Sequence, residues 1–362
     1  MIKGARRLIV ALIVWLVILY GWPIIQTPAV NQPKVAQAPS TERSIKQTPL
    51  TKTQGPAKLI NQPAEQLIAT YGQPVEQQLT DENQRRWLFH LDSRQYVEAL
   101  IDNQSNQTQQ IMVVGADNDV APFHFFQKRA TLTKKTALPT SLLVTLHEQQ
   151  FKLRLTPEQH QQTPLVVFKN QTFATLVMQQ ERLTAVMYLN ANRLLQTDLY
   201  RVVSKTPVPV DELAKSQQPQ TDSQRQLALV QTLQTLRQNN DQPALTINQL
   251  PLQNTQNLVS ELTSTPTQWL TKKGLQKLHQ VRKQATQETD AFLTATDFKQ
   301  APLRAAGFPQ REQLFYWPQG LNSQGLVLAQ QQNLALQLAI NNPSYQHLTL
   351  LCTDEQTMMI FD

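Results

Sequence analysis

Histidine is the side chain best suited to hold a metal or move a proton near neutral pH. The chain has six, at positions 90, 124, 147, 160, 279 and 347. None forms HxxxH or any other close pair, so no local metal motif is present. Each reads as a structural or surface imidazole, with His90 in a strand-like run and His279 on a polar helix face. There is no GxSxG nucleophile turn. There is also no GxGxxG and no GxxxxGK[ST], and 9 glycines leave little material for a phosphate-cradling loop. Cys352 is the only cysteine, so an internal disulfide is impossible. Its neighbours Leu350 and Leu351 make it a small buried hydrophobe rather than a nucleophile. Asp354-Glu355 reads as a solvated turn and Asp211-Glu212 as linker charge. The most suggestive grouping is Trp317 beside Phe315 and Tyr316, close after Glu312. Such aromatics next to a carboxylate could line a groove for a glycan or a lipid, or could simply pack in the core, as Trp87 and Trp269 are expected to do.

The net charge of +7 raises nucleic-acid binding, but its location speaks against it. Lys3, Arg6 and Arg7 contribute +3, and residues 27–57 contribute another +3, which leaves +1 for Lys58–Asp362. The basicity belongs to the N-terminal segment, where it suits membrane topology and an anionic surface.

The elements that must position any site begin with Leu8–Ile25, LIVALIVWLVILYGWPII, which carries no charge. As a helix it would be about 27 Å long, close to one bilayer core. The basic residues precede it, so the N-terminus should be cytoplasmic and the rest outside. A cleaved signal peptide is the competing reading, but the nearest A-x-A pattern is the distant Ala36-Gln37-Ala38. Residues 1–26 are therefore expected to be a single-pass signal anchor. Residues 27–57, rich in Pro, Gln, Thr, Ser and Lys, are expected to form a disordered stalk.

Asn61–Gly72 has helix punctuation at both ends, with Pro63 in its first turn and Gly72 behind it. Strand-like runs follow at Arg86–Leu91, Gln95–Ile101, Ile111–Gly115, Phe151–Leu155, Leu165–Phe168, Phe173–Met178 and Thr184–Leu189. FKLRL at 151–155 alternates strictly. A Pro-rich polar stretch at 206–225 reads as a linker. Helical spacing then links Leu229, Leu233 and Leu236, then Leu258 and Leu262, then Leu275, Leu278 and Val281. Leu326–Ile340 reads as one apolar helix. Leu348–Cys352 and Met358–Phe361 read as two terminal strands.

Two stretches resemble a known family. Asn61–Pro74 (NQPAEQLIATYGQP), followed by RWLFH at 86–90 and QYVEALI at 95–101, is similar to the CAP-associated N-terminal domain of bacterial envelope proteins. That domain shows a helix ending in a Leu/Tyr-Gly-x-Pro motif and then a Trp-containing strand. In this family the second domain is a CAP domain, the α-β-α sandwich of cysteine-rich secretory and pathogenesis-related proteins, whose cleft carries two His and two acidic residues. Gln234 and Arg237 resemble the Asn-x-x-Arg start of that domain. Glu312–Tyr316 resembles its cleft strand, and Leu338–Gln346 its Trp-x-Asn-Ser-Pro-x-His-Arg motif.

The resemblance implies an α+β chain with a domain at 58–205 and a degenerate CAP-like domain at 226–362. It also implies a vestigial cleft. Tyr345 stands at one His position and Gln337 at one acidic position, and no His falls near Phe292–Thr296, where the other is expected. Glu312 survives, and His347 lies next to the motif. A Tyr, a Gln and one Glu cannot bind zinc as two imidazoles and two carboxylates do. No metal, cofactor or catalytic residue is expected. Glu312, Gln337, Tyr345, His347 and Trp317 remain as binding candidates. The expected function is non-catalytic binding of wall polymer, lipid or an envelope protein outside a Gram-positive cell. The alternatives are an envelope hydrolase or protease, and a regulatory partner of a membrane sensor kinase.

Overall fold

Gln95–Asp102 is buried along almost its whole length, on both faces of the strand. Only a sheet covered on both sides permits that, and the fold supplies the two covers. The structure is a computed structural model, which describes residues 50–80, 84–92, 94–197, 199–204, 207–208, 221–247, 252–283, 292–308, 313–353 and 356–362. The expected span Leu8–Ile25, most of the expected stalk, and Glu312 lie outside the described residues. Among the described residues no helix is long and apolar enough to cross a membrane.

The first half contains helix α1 (Glu65–Tyr71), strands β1 (Glu76–Leu79), β2 (Gln84–Asp92), β3 (Gln95–Asp102) and β4 (Thr108–Val114), and helix α2 (Arg129–Lys135). Hairpin β5 (Ser141–Leu146) and β6 (Gln149–Arg154) follows, then α3 (Pro157–Gln162), β7 (Leu165–Val167), β8 (Phe173–Gln179), β9 (Arg182–Leu189), α4 (Ala191–Gln196) and β10 (Arg201–Val202). A seven-stranded antiparallel sheet runs β1-β2-β3-β4-β9-β8-β7, and a small second sheet runs β10-β6-β5. One face of the large sheet packs Trp87, Phe89, Val113 and Tyr188 against Leu67 of α1 and Leu132 of α2.

The second half contains α5 (Asp222–Gln238), β11 (Thr246–Ile247), α6 (Leu252–Ser264), α7 (Pro266–Trp269), α8 (Lys272–Lys283), β12 (Leu293–Thr294) and α9 (Gln300–Ala305). It ends with β13 (Gln313–Trp317), α10 (Ser323–Gln332), α11 (Leu334–Asn341), β14 (His347–Cys352) and β15 (Thr357–Phe361). Its five strands order β11-β14-β15-β13-β12. Leu314, Tyr316, Met358 and Ile360 face the side covered by α6 to α9. Phe315, Trp317, Leu350 and Phe361 face α5, α10 and α11. Those same three helices continue one core with Leu88, Tyr96, Met112 and Val177 of the large sheet. The middle helices thus serve two sheets at once, one on each side.

Several sequence expectations are corrected. Leu326–Ile340 is two helices, because Asn333 leaves helical dihedrals (φ −115, ψ 109) and its side chain caps Leu336 N–H, starting α11 afresh. Folded chain begins inside the expected stalk: Thr51 bridges to Phe168 beside β7, and Pro56 and Ala57 are buried in a short 3₁₀ turn. Helix α5 begins inside the expected linker, where Thr221 and Gln224 form a capping box. The strand β5, SLLVTL, is not among the runs read as strands, although Leu142–Val144 is apolar. It pairs with β6 through His147 and Glu148, both at positive φ (47 and 65). Gly274 lets α8 approach the turn at Ala295–Asp297, since a Cβ there would lie 2.2 Å from the Asp297 carbonyl.

A polar seam crosses the junction of the large sheet with the middle helices. Glu98 Oε1 lies 3.3 Å from Arg86 Nε. Tyr96 donates to Glu98 Oε2 at 2.8 Å, and its oxygen lies 3.1 Å from Ser323 Oγ at the start of α10. All four side chains are buried.

Burial raises the Tyr96 phenol well above its usual range, and the Glu98 charge adds to this. Burial likewise raises Tyr188 and Tyr200, and it pushes Tyr316 and the Cys352 thiol up to about 12. These groups keep their protons in the folded chain and lose them first in the unfolded one. Stability is therefore full below pH ~8.5 and falls as pH rises through the unfolded values of ~8.5 for Cys and ~10 for Tyr. Urea midpoints measured from pH 7 to 11 should drop steeply above pH ~10, each group adding up to ~1.4 kcal/mol per pH unit. A flat profile would contradict this burial.

Candidate functional site

The expected cleft residues separate into two places. Trp317 ends β13 and is buried, with its ring 4.9 Å from Phe292 and 6.2 Å from Phe315. Phe315 meets Phe361 edge-on at 6.0 Å, and Phe361 lies 6.3 Å from Tyr345. Trp317 and Tyr345 are thus the two ends of one aromatic row on the inner face of the five-stranded sheet. His347 opens β14 and exchanges backbone hydrogen bonds with Asp362 at 3.0 and 3.1 Å. Its Nδ1 is buried with no partner among the described residues. Gln337, half-buried on α11, is elsewhere, in the wall of a cavity that none of the other three lines.

Arg237 explains how this end of the chain is held. It is completely buried on α5. Its guanidinium donates to the carbonyls of Pro243 (2.8 Å), Ile340 (2.6 Å), Asn342 (3.3 Å) and Tyr345 (3.1 Å). Gln234, one turn earlier, exchanges two hydrogen bonds with the backbone of Leu245, at 2.6 and 2.8 Å. The pair that resembles Asn-x-x-Arg therefore clamps backbone rather than facing a ligand.

The cavity measures about 1220 Å³. Its floor is the outer face of the small sheet, because β6 alternates: Phe151 and Leu153 point into the core while Lys152 and Arg154 point out. Arg201 of β10 stands directly opposite Arg154. One side is α3, started by a Thr156–Gln159 capping box. Its His160 is fully engaged. Nε2 donates to Leu138 O at 2.9 Å, which leaves Nδ1 to accept from Arg129 Nη2 at 3.2 Å. Arg129 also reaches the carbonyls of His160 (2.5 Å) and Gln161 (3.0 Å). The far wall is the β8–β9 turn, with Gln179 to Glu181, together with Gln331 and Gln337 from the second half. Gln331 Nε2 donates to Met178 O at 3.1 Å, which joins the two halves there. Among the described lining residues, Glu181 is the only carboxylate. Among all described residues, no three His, Cys, Asp or Glu converge as metal ligands.

Comparison with known proteins follows from this architecture. The family described as CAP-associated N-terminal matches residues 60–200. The crystal structure of a cysteine-rich secretory protein from Staphylococcus aureus subsp. aureus Mu50 is similar over 87% of this chain and 98% of its own, with 13% identity and a TM-score of 0.66. An extracellular protein containing a SCP domain, from Bacillus anthracis str. Ames, is similar over 87% of this chain and 97% of its own, with 16% identity and a TM-score of 0.62. At these identities the likeness is one of fold. The chain is thus a mixed α+β fold, shared with these two proteins across both of its halves. No curated protein matches the sequence significantly.

Sequence reading did not single out Lys152, Arg154 or Arg201 as a site. The signal available was the FKLRL alternation, which puts two cations on one face of a strand. Arg201 joins them only through tertiary pairing with β6.

Proposed function

We propose that this chain is a non-catalytic binding protein outside the cell membrane, anchored by Leu8–Ile25 and presenting its CAP-associated and CAP-like domains to the envelope. The observation that carries the reading is the cavity between the two halves. It is large and lined mainly by polar side chains, and the only imidazole among its described lining residues already has both nitrogens engaged within the protein. Pockets at domain junctions are common ligand sites. The extracellular and secretory character of the two similar structures supports placement outside the cell. Gln337 and Tyr345 stand in sequence where the resembled family carries an acid and a His, and neither side chain supplies the imidazole or carboxylate that would hold a metal or relay a proton.

The test uses the full chain. Protease added to protoplasts should digest the folded domains, and the purified protein should sediment with isolated cell walls without cleaving them. Protection from protease would overturn the topology. Wall hydrolysis that disappears in both Glu312→Ala and His347→Ala would overturn the non-catalytic reading in favour of a hydrolase.

A further inference from the structure

The outer face of the small sheet holds an arrangement that disfavours the empty protein. Arg154 and Arg201 are direct cross-strand partners. Their Cα atoms are therefore ~4.5–5.5 Å apart. Lys152 follows on the same face, ~7 Å along the strand. Like charges placed opposite each other in a sheet repel. Among the described residues none of the three meets a carboxylate. The opposite wall adds a second, independent observation. Gln179 is about nine-tenths buried, lines the cavity, and leaves its Nε2 without a hydrogen-bond partner among the described residues. Gln331 Oε1, also in the wall, is buried and unpartnered in the same way. Buried amide atoms left unpaired are costly, so a ligand that supplies their partners is favoured.

We propose that this cavity binds an anionic polyol chain, a polymer whose repeating unit carries hydroxyls and a phosphate. The inference rests on the binding reading above and names the ligand class. The cations on the sheet face match successive oxyanions, since Arg and Lys are the residues that bind phosphate oxygens. The glutamine amides on the far wall both donate and accept, as recognition of hydroxyls requires. No Trp, Tyr or Phe lines the cavity among the described residues, so it offers no platform for stacking nucleobases. The volume of about 1220 Å³ exceeds the ~300–1,000 Å³ usual for one small ligand, which favours a segment of chain. An anionic lipid headgroup offers the same phosphate and hydroxyls, and the test separates the two sources.

The full-chain protein is titrated with a fluorescently labelled glycerol phosphate oligomer at physiological ionic strength, and anisotropy is read. Saturable binding is expected. The double variant Arg154→Gln/Arg201→Gln should bind at least tenfold more weakly, and its Tm should equal or exceed the parent's, because a like-charge pair is gone. Gln179→Ala should weaken binding several-fold, and Lys134→Gln, outside the cavity, should leave it unchanged. Absent binding would overturn the proposal, as would equal binding of an oligothymidylate of the same charge or an unaffected double variant. Tighter capture by phosphatidylglycerol vesicles would overturn the polymer in favour of the lipid. If walls stripped of their phosphate polymer still sediment the protein as well as intact ones, this proposal fails while the binding-protein reading stands.

Discussion

Arg237→Met should destabilise the folded chain by about 3–5 kcal/mol, because the guanidinium is the partner of four backbone carbonyls that have little access to water. Ile340 and Asn342 lie at the C-terminal end of α11, where carbonyls have no intrahelical partner. Pro243 and Tyr345 belong to the segments entering β11 and β14. One side chain therefore satisfies a helix end and two strand entries together. Arg237→Lys keeps the charge but replaces a planar fork with a single ammonium, so it should recover only part of the loss. Urea unfolding at pH 7 measures both. Amide exchange should also quicken at residues 338–342 before it does elsewhere. A loss below ~1 kcal/mol for the Met variant would mean that these carbonyls are satisfied without the guanidinium.

The second large effect is expected at Glu98. Its carboxylate faces Arg86 and accepts from Tyr96, which in turn meets Ser323 of the second half. Glu98→Ala leaves a buried guanidinium without its carboxylate, an error that costs about 3–5 kcal/mol. Ser323→Ala removes one neutral hydrogen bond and should cost only about 1 kcal/mol. A double-mutant cycle of Tyr96→Phe with Ser323→Ala should show coupling, since the two oxygens touch. The seam also ties the large sheet to α10, so Glu98→Ala should change the shape of unfolding: the single transition of the parent should divide in two. A parent-like midpoint, or a Glu98→Ala loss no larger than that of Ser323→Ala, would show that the seam is not structural.

Much of this architecture could be read from the chain. The apolar runs at 95–101, 173–178 and 348–352 emerged as strands, and Gly72 ends its helix at φ 82 as the punctuation suggests. Cys352 is indeed buried in a strand. The failures have physical causes. Asn333 is indistinguishable in a hydropathy pattern from a polar helix position, yet its side chain is better used as a cap. Thr51, Pro56 and Ala57 sit in a composition typical of a tail, yet Thr51 pairs beside Phe168 and Ala57 joins the core under the large sheet. For the site, local motifs were the wrong guide. Arg237 resembles the arginine that opens the CAP domain but gives four hydrogen bonds to backbone carbonyls. The cavity draws Lys152 and Arg154, two apart on one strand, together with His160, Arg201 and Gln337, and only tertiary structure joins these to the pair.

The shared layer of middle helices has a consequence for how the chain is made. Synthesis proceeds from the N-terminus at ~5–20 residues per second. Strand β9 ends at Leu189, whereas α10 ends at Gln332. The large sheet can therefore close before its second cover, begun by the small sheet and α5, is completed by α10, and the face carrying Leu88, Met112 and Val177 stays incompletely covered for roughly 7–30 s. During that window the nascent chain presents apolar surface that only α10 and α11 will cover. Its dependence on chaperones should be concentrated there, after β9 has appeared and before α10 has.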